Sequence, residues 1–201
     1  MVSLYSGTPG SGKSLHSARD IRERLQRKGR ITIGNFSINA ATVKNRRGIY
    51  LYVPNHRLTP QRLMDFSKRL SGHLGRRLKE GEILLVIDEA QLLFNSREWQ
   101  GMGRKGWLSF FTQHRHFGYD IVLVAQFDRM LDRQIRGIIE YDVVHRKVSR
   151  AGDFGAFLGF LSRGSLFVWV RRWYPIGEKV SSEFFLGTDR LYDLYDSYNS
   201  F

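Results

Sequence analysis

A glycine-rich stretch near the amino terminus has the residue types and spacing of a phosphate-binding loop. Residues 7–14 read Gly-Thr-Pro-Gly-Ser-Gly-Lys-Ser and fit the pattern G-x-x-x-x-G-K-[ST] of nucleoside-triphosphate enzymes. The glycines let the backbone curl, so that successive N–H groups point at phosphate oxygens. Lys13 is expected to reach the β- and γ-phosphates, and the Ser14 hydroxyl to bind Mg²⁺. The predicted nucleotide contacts are Gly7, Thr8, Pro9, Gly10, Ser11, Gly12, Lys13, Ser14 and Leu15.

The elements on either side of this loop favour the phosphate-binding interpretation. Val2 to Tyr5 are predicted to form an apolar strand before it, and Ser14 to Lys28 a helix after it. A helix that begins at the loop adds unpaired N–H groups and a positive dipole end to the same anion site. The alternative is a glycine-rich turn with an incidental lysine, and the position of the full motif between a strand and a helix disfavours it.

A second acidic element is predicted at the end of a buried strand. Residues 82–88 read Glu-Ile-Leu-Leu-Val-Ile-Asp, and Glu89 follows. A continuous apolar run is typical of a strand buried on both faces of a parallel sheet, whose carboxyl end faces the ligand. Asp88 is therefore predicted to hold Mg²⁺ through water, and Glu89 to accept a proton from the attacking water. A strand-end acidic pair without function is the alternative.

Two further candidates for the same chemistry follow in the chain. Asp120 to Ala125 are predicted to form a buried strand next to the Asp88 strand, ending at Gln126. Gln126 is expected to hydrogen-bond the γ-phosphate or the lytic water, and turn capping is its alternative role. A ring ATPase also needs an arginine from a neighbouring subunit at the γ-phosphate. Arg136 or Arg133, in a helix predicted over Asp128 to Ile139, is the candidate; solvated charge is the alternative, and Arg115 is the reserve.

Composition limits the classes of protein that this chain can be. It has 201 residues, 32 Lys and Arg against 19 Asp and Glu, and a net charge of +13, which favours nucleic acid or an acidic membrane surface as a partner. The absence of cysteine excludes disulfides, thiolate nucleophiles and cysteine-based zinc sites. His114 and His116 are two residues apart, a spacing that points their rings away from each other on a helix. Structural or polar contacts are therefore expected rather than a metal site. The chain shows neither a signal sequence nor a membrane-spanning run, so we expect a soluble chain, and continuation of the native protein past Phe201 is left open.

The remaining pattern predicts an α/β P-loop fold: a three-layer sandwich with a mostly parallel sheet and a small antiparallel C-terminal addition. One domain is expected over residues 1–201. Residues 35–48 are predicted to form an excursion or hairpin, and the arginines and aromatic residues of 167–174 to pack across strands rather than to stack bases. The other predicted elements are strands at Ile31–Ile33, Ile49–Val53 and Tyr141–Val148, helices from Thr59 to Leu78 and from Trp107 to Phe117, a hairpin of Leu166–Tyr174 with Val180–Phe185, and a C-terminal tyrosine-spaced helix.

These motifs, taken in order, resemble the N-terminal ATPase domain of the zonular occludens toxin (Zot) family, which includes filamentous-phage morphogenesis proteins. The phosphate loop alone does not discriminate. The more specific segments are 88–91 (Asp-Glu-Ala-Gln), 115–121 (Arg-His-Phe-Gly-Tyr-Asp-Ile), Ala125-Gln126, Ile135-Arg136 and the closing 191–198 (Leu-Tyr-Asp-Leu-Tyr-Asp-Ser-Tyr). The resemblance covers essentially the whole chain.

The resemblance implies an Mg²⁺-dependent ATPase for assembly and export of single-stranded-DNA phage at the cytoplasmic face of the bacterial inner membrane. It implies a homo-oligomer, with a hexameric ring as one form, and phage coat or other assembly proteins and single-stranded DNA as partners. Many family members continue into a membrane span, so this chain is expected to be a cytoplasmic fragment or a short member. The alternatives are a cytosolic nucleic-acid translocase or helicase-loader-type ATPase, and a slow nucleotide-gated binding protein.

Overall fold

The architecture is a twisted eight-stranded sheet with helices on both faces, seen in a computed structural model that describes residues 1–95, 103–150, 152, 157, 160–162 and 165–195. The strands are β1 (Val2–Ser6), β2 (Ile31–Gly34), β3 (Ile49–Tyr52), β4 (Ile83–Ile87), β5 (Tyr119–Val124), β6 (Tyr141–Lys147), β7 (Leu166–Trp173) and β8 (Glu178–Leu186). The α-helices are α1 (Lys13–Leu25), α2 (Pro60–Leu74), α3 (Gly103–Gln113), α4 (Arg133–Arg136) and α5 (Asp189–Leu194).

The order of strands across the sheet is β3-β2-β4-β5-β1-β6-β7-β8. Strands β1 to β6 pair in parallel, whereas β7 and β8 are antiparallel additions. The predicted fold class is therefore confirmed, including the antiparallel C-terminal part. Because the carboxyl ends of the parallel strands meet at one edge, the residues that follow β1, β4 and β5 are brought together there.

The strand sequences explain why the sheet is buried on both faces. All five residues of β4 are buried, and successive side chains point to opposite sides. Ile83, Leu85 and Ile87 enter the core beneath α2 and α3, whereas Leu84 and Val86 enter the core beneath α1. Two separate apolar layers thus fix the register of β4, because a slip by one residue would exchange them.

Several predicted boundaries are wrong. Helix α2 ends at Leu74 and not at Leu78, because Gly75 adopts a left-handed conformation at φ 62° and ends the helix. Residues 35–48 contain a 3-10 turn at Ala40–Thr42 and no strand, so of the two predicted alternatives the excursion is confirmed and the hairpin is wrong. The helix predicted from Trp107 to Phe117 begins at Gly103 and ends at Gln113, and α1 ends at Leu25, three residues early.

The amphipathic helix predicted over Asp128 to Ile139 is also wrong. A short 3-10 turn covers Asp128–Met130, and only Arg133–Arg136 are α-helical. Asp132 separates the two: its carboxylate accepts from the Gln134 N–H at 2.8 Å, and its own N–H donates to the Phe94 carbonyl at 2.9 Å. A tertiary hydrogen bond therefore overrides the helical periodicity.

The predicted C-terminal helix is seen over Asp189–Leu194. Tyr195, which the prediction included, has an extended backbone at φ −123° and ψ 100°. The predicted continuation through residues 196–201 lies outside the described residues. Within the parts of the chain that the structure describes, no helix combines the length and the apolar character needed to cross a bilayer.

Candidate nucleotide-binding site

The loop between β1 and α1 has a backbone that only glycine accommodates at two positions. Gly12 precedes α1 in the left-handed region at φ 98°, and a Cβ atom there would lie 2.7 Å from the Phe167 ring. A Cβ on Gly7, at φ 143°, would lie 2.6 Å from both the His145 carbonyl oxygen and the Ser11 Oγ. The loop is therefore packed too closely for side chains, which keeps its N–H groups accessible to a ligand.

Lys13 is folded back onto its own loop. Its Nζ donates to the Gly7 carbonyl at 2.6 Å and to the Thr8 carbonyl at 3.2 Å. Burial lowers the pKa of the Lys13 ammonium, and the nearby carboxylates of Glu89 and Asp88 oppose that shift. The ammonium thus lies between the loop and the acidic strand tip.

The loop also contains a polar atom that the protein leaves without a partner. The Ser11 side chain is buried, and its Oγ forms no hydrogen bond with the described residues. An unpaired buried hydroxyl costs about 1–3 kcal/mol. An anion seated in the loop would offer it an acceptor, so the loop fits a phosphate group.

The acidic tip follows β4. Asp88 Oδ1 accepts from the Glu89 N–H at 2.9 Å, and Asp88 Oδ2 accepts from the Tyr195 hydroxyl. Burial raises the pKa of the Asp88 carboxyl, whereas these two hydrogen bonds favour its charged form. Glu89 has a left-handed backbone at φ 47°, a conformation that costs a non-glycine residue about 1–3 kcal/mol and is frequent at functional sites. The Gln91 side chain donates to Glu89 Oε2 and holds that carboxylate.

Asn35, for which the sequence predicts no role in the site, fixes the backbone of Asp88. The Asp88 N–H donates to Asn35 Oδ1 at 2.7 Å, and Asn35 Nδ2 donates to the Asp88 carbonyl at 2.8 Å. The same Nδ2 donates to Asn55 Oδ1 at 2.8 Å. This pair of bonds extends the β2–β4 pairing by one residue through a side chain and sets the direction in which Asp88 leaves the strand.

One cavity of about 410 Å³ joins the loop to the acidic tip. Although β5 lies between β1 and β4, residues from all three strand ends reach the cavity, and the Gly7 N–H donates to the Gln126 carbonyl at 3.1 Å. Gly7 and Thr8, which were also predicted to contact the nucleotide, do not line the cavity; their carbonyls accept from Lys13 Nζ. The residues that line the cavity are Pro9, Gly10, Ser11, Gly12, Lys13, Ser14, Leu15, Asp88, Glu89, Gln126, Lys147, Phe167, Tyr192 and Tyr195.

The site residues fit a magnesium ion that is shared with a phosphate. Ser14 and Asp88 supply hard oxygen donors, which Mg²⁺ prefers. Among the described residues, no group of three or more His, Asp or Glu side chains is placed to hold a metal by itself. A magnesium ion here would therefore take its other ligands from phosphate and water, as it does in nucleotide enzymes.

The arginines proposed for the γ-phosphate do not line this cavity. Arg136 is half-buried and Arg133 is exposed in α4. Arg115 lies near the amino terminus, where it pairs with Glu140 at 2.8 Å and Glu80 at 3.3 Å, at the opposite edge of the sheet from the loop. None of the three is among the residues that line the cavity of its own chain.

A different arginine contacts the loop. Arg150 Nη1 donates to the Pro9 carbonyl at 3.1 Å and lies 3.4 Å from the Thr8 Oγ1. Sequence reasoning did not single out Arg150 as a site residue. No local signal identified it, because 141 residues separate it from Pro9.

Two buried histidines support the loop from beneath. His16 Nδ1 lies 2.8 Å from His145 Nε2, and His145 Nδ1 lies 3.1 Å from the Ser6 carbonyl. The His16 ring stacks on Trp169 at 3.9 Å.

His114, for which polar contacts were expected, has its Nδ1 2.6 Å from the Phe111 carbonyl and its Nε2 2.9 Å from the amino terminus. That expectation is confirmed.

Comparison with known proteins identifies relatives of this arrangement. The family model described as zonular occludens toxin (Zot) matches residues 1–158. The Gene 1 protein of Enterobacteria phage I2-2 is 30% identical over 86 residues, which are 41% of this chain and 24% of that relative. The chain therefore matches only about a quarter of the length of that longer curated relative.

Solved structures show the same fold along nearly the whole chain. The N-terminal domain of zonular occludens toxin from Neisseria meningitidis superimposes with a TM-score of 0.60 at 18% identity, covering 97% of this chain and 98% of that one. The genome packaging NTPase B204 from Sulfolobus turreted icosahedral virus 2, solved with ATP-gammaS, gives a TM-score of 0.54 at 14% identity, covering 94% and 97%. At these identities the likeness establishes the fold.

Proposed function

Since the chain belongs to the zonular occludens toxin family, we propose that it hydrolyses ATP to power assembly and export of filamentous single-stranded-DNA phage through the bacterial inner membrane. The observation that carries the proposal is that Lys13, Ser14, Asp88 and Glu89 line one and the same cavity. The similarity to Gene 1 proteins of filamentous phages and to a packaging NTPase solved with ATP-gammaS supports it.

In this proposal the loop N–H groups and Lys13 bind the phosphates. On binding, the Lys13 ammonium would exchange its carbonyl partners for phosphate oxygens, which bear more charge. Ser14 and Asp88 would hold Mg²⁺, which neutralises charge that develops on the phosphates. Glu89, held by Gln91, accepts the proton of the attacking water, and Gln126 orients that water or the γ-phosphate.

The arginine that completes such a site would come from a neighbouring copy. Arg136 or Arg133 stays the candidate for this role, with Arg115 as the reserve, because none of the three lines the cavity of its own chain. The active form would then be a homo-oligomer, with a ring as one form, and residues 1–201 would be one ATPase domain. We place it at the cytoplasmic face of the inner membrane, with coat or other assembly proteins as partners.

The basic surface favours a second candidate, a nucleic-acid translocase that works away from the membrane. Arg62, Lys68 and Arg69 are exposed on α2, and the chain carries a net charge of +13. Such a surface attracts phosphate backbones without reading sequence. If single-stranded DNA stimulates hydrolysis and the stimulation falls steeply with salt, this candidate gains support.

Steady-state hydrolysis of Mg²⁺·ATP by the wild type and by Glu89→Gln tests the proposal. Loss of a positioned general base lowers kcat by about 10²–10⁴-fold, whereas the affinity for ATP should be retained. Lys13→Ala should lose ATP binding as well. Equal turnover by the wild type and Glu89→Gln would refute the assignment of the base, and absence of Mg²⁺-dependent ATP binding by the wild type would refute the proposed function.

A further inference from the structure

The hydroxyl of Tyr195 reaches the site from the opposite end of the chain. It donates to Asp88 Oδ2, the carboxylate oxygen that the Glu89 N–H leaves free. The Tyr195 ring is 7% exposed and packs edge-to-face on Phe36, with ring centroids 4.8 Å apart. Tyr195 therefore cannot be regarded as a surface side chain that happens to lie near the cavity.

Building on the proposed function, we propose that Tyr195 is a positioning residue for Asp88, and that it couples occupancy of the magnesium–nucleotide site to docking of α5. The two hydrogen bonds use two of the roughly four lone-pair positions of the carboxylate. They fix its rotation about the Cβ–Cγ bond and leave the remaining positions toward the cavity. Together with Asn35 on the backbone, they hold Asp88 from both sides.

The loop after β2 links these contacts to α5. It carries Asn35, which holds the Asp88 backbone, and Phe36, which supports the Tyr195 ring. Three residues later, the Asn39 N–H donates to the Leu194 carbonyl at 2.9 Å, and Leu194 is fully buried. Asp88, this loop and the end of α5 are thus one contiguous packed unit.

Thermodynamic linkage gives this unit a functional consequence. If the Tyr195 hydroxyl stabilises the arrangement of Asp88 that binds magnesium, then bound magnesium and nucleotide must stabilise the docked position of Tyr195 by the same factor. Occupancy of the site would be felt at the end of α5, from which the chain continues. Partners that orient a metal ligand typically contribute about 10–100-fold to metal affinity.

Tyr195→Phe tests the proposal because it keeps the ring on Phe36 and removes only the hydroxyl. Tyr119→Phe is the matched control: it removes a buried hydroxyl that donates to the Leu63 carbonyl at 2.9 Å in the other apolar layer. The affinity of a fluorescent non-hydrolysable ATP analogue is measured with Mg²⁺ and with EDTA. Thermal unfolding midpoints of the two variants report whether both fold equally well.

We expect the Mg²⁺-dependent gain in affinity to fall by about 10-fold in Tyr195→Phe and to stay at the wild-type value in Tyr119→Phe. Affinity in EDTA should be the same in all three proteins. A second readout is hydrogen exchange at the Asn39 amide, which reports docking of α5. Magnesium and analogue together should slow it in the wild type and not in Tyr195→Phe.

An unchanged Mg²⁺-dependent gain in Tyr195→Phe, or equal slowing of Asn39 exchange in both proteins, would overturn this inference and leave the proposed function intact. A loss of affinity in EDTA as large as that in Mg²⁺ would also overturn it, because the hydroxyl would then act on the cavity as a whole. If the wild type showed no Mg²⁺-dependent gain, the proposed function itself would fail.

Discussion

Gly12→Ala should destabilise the protein more than a glycine-to-alanine change at a left-handed position that has open space around it, such as Gly29. The reason is that two separate costs coincide at Gly12. Its backbone lies at φ 98°, and the new methyl group would lie 2.7 Å from Phe167 Cδ1 and 3.0 Å from Cγ. The Phe167 ring is 4% exposed and stacks on Phe185 at 5.3 Å, so it cannot swing aside.

The Gly29→Ala variant isolates the cost of left-handed backbone strain from the cost of overpacking. It has φ 73°, and a methyl group there would meet nothing within 4 Å. Gly29→Ala should therefore cost only the left-handed strain, about 1–2 kcal/mol. Overpacking adds about 1–3 kcal/mol at Gly12, so Gly12→Ala should cost about 2–5 kcal/mol in total. For a chain of this size, each kcal/mol lowers the thermal midpoint by about 2–4 °C.

Urea unfolding of the two variants measures the difference directly, and Phe167→Leu provides the check on its cause. If the Phe167 ring is what the methyl group meets, Gly12→Ala should cost less in the Phe167→Leu background than in the wild type. ATP binding should be lost in Gly12→Ala and kept in Gly29→Ala. Equal costs for the two glycine variants, or a difference that Phe167→Leu leaves unchanged, would refute the reasoning.

Two further predictions concern the residues that support the site. Burial lowers the pKa of His16 to about 2 and of His145 to about 4, so both stay neutral in the fold while the unfolded chain takes up protons below about pH 6.5. The two histidines should lower the free energy of unfolding by about 4 kcal/mol between pH 7 and pH 5. Asp20 should offset about 1 kcal/mol of this loss, because burial raises its pKa to about 6. Urea midpoints at the two pH values check this, and an unchanged midpoint would contradict it. Asn35→Ala should cost about 1–3 kcal/mol because it leaves the Asp88 N–H unpaired, whereas Asn55→Ala removes a single bond and should cost less; equal costs in denaturant unfolding would count against the role given to Asn35.

The parts of the molecule that the sequence predicted well are those encoded locally. The glycine-rich loop is eight consecutive residues between a short apolar strand and a helix, and the β4 run is five buried residues ended by an acidic pair. Neither requires knowledge of distant contacts. The parallel sheet follows from such strands, because their apolar runs need cover on both faces.

Features that depend on distant contacts were missed. Tyr195 lies 107 positions from Asp88, and nothing in its tyrosine-spaced segment distinguishes a residue that binds a carboxylate from one that fills the core. The break between Asp128 and Ile139 depends on a backbone bond from Asp132 to Phe94, which helical periodicity cannot reveal. The end of α2 could have been predicted from the sequence, since glycine commonly ends helices in a left-handed conformation, as Gly75 does here.

The central claim is that the glycine loop and the acidic tip of β4 close around one metal–nucleotide site. Electron paramagnetic resonance of Mn²⁺, used in place of Mg²⁺ with a non-hydrolysable ATP analogue, tests it most directly. We predict one tightly held Mn²⁺ per bound nucleotide in the wild type, and at least about 10-fold weaker Mn²⁺ binding in Asp88→Asn, with analogue affinity in EDTA unchanged. Equal Mn²⁺ affinity in the two proteins would contradict the claim, because Asp88 would then not face the metal.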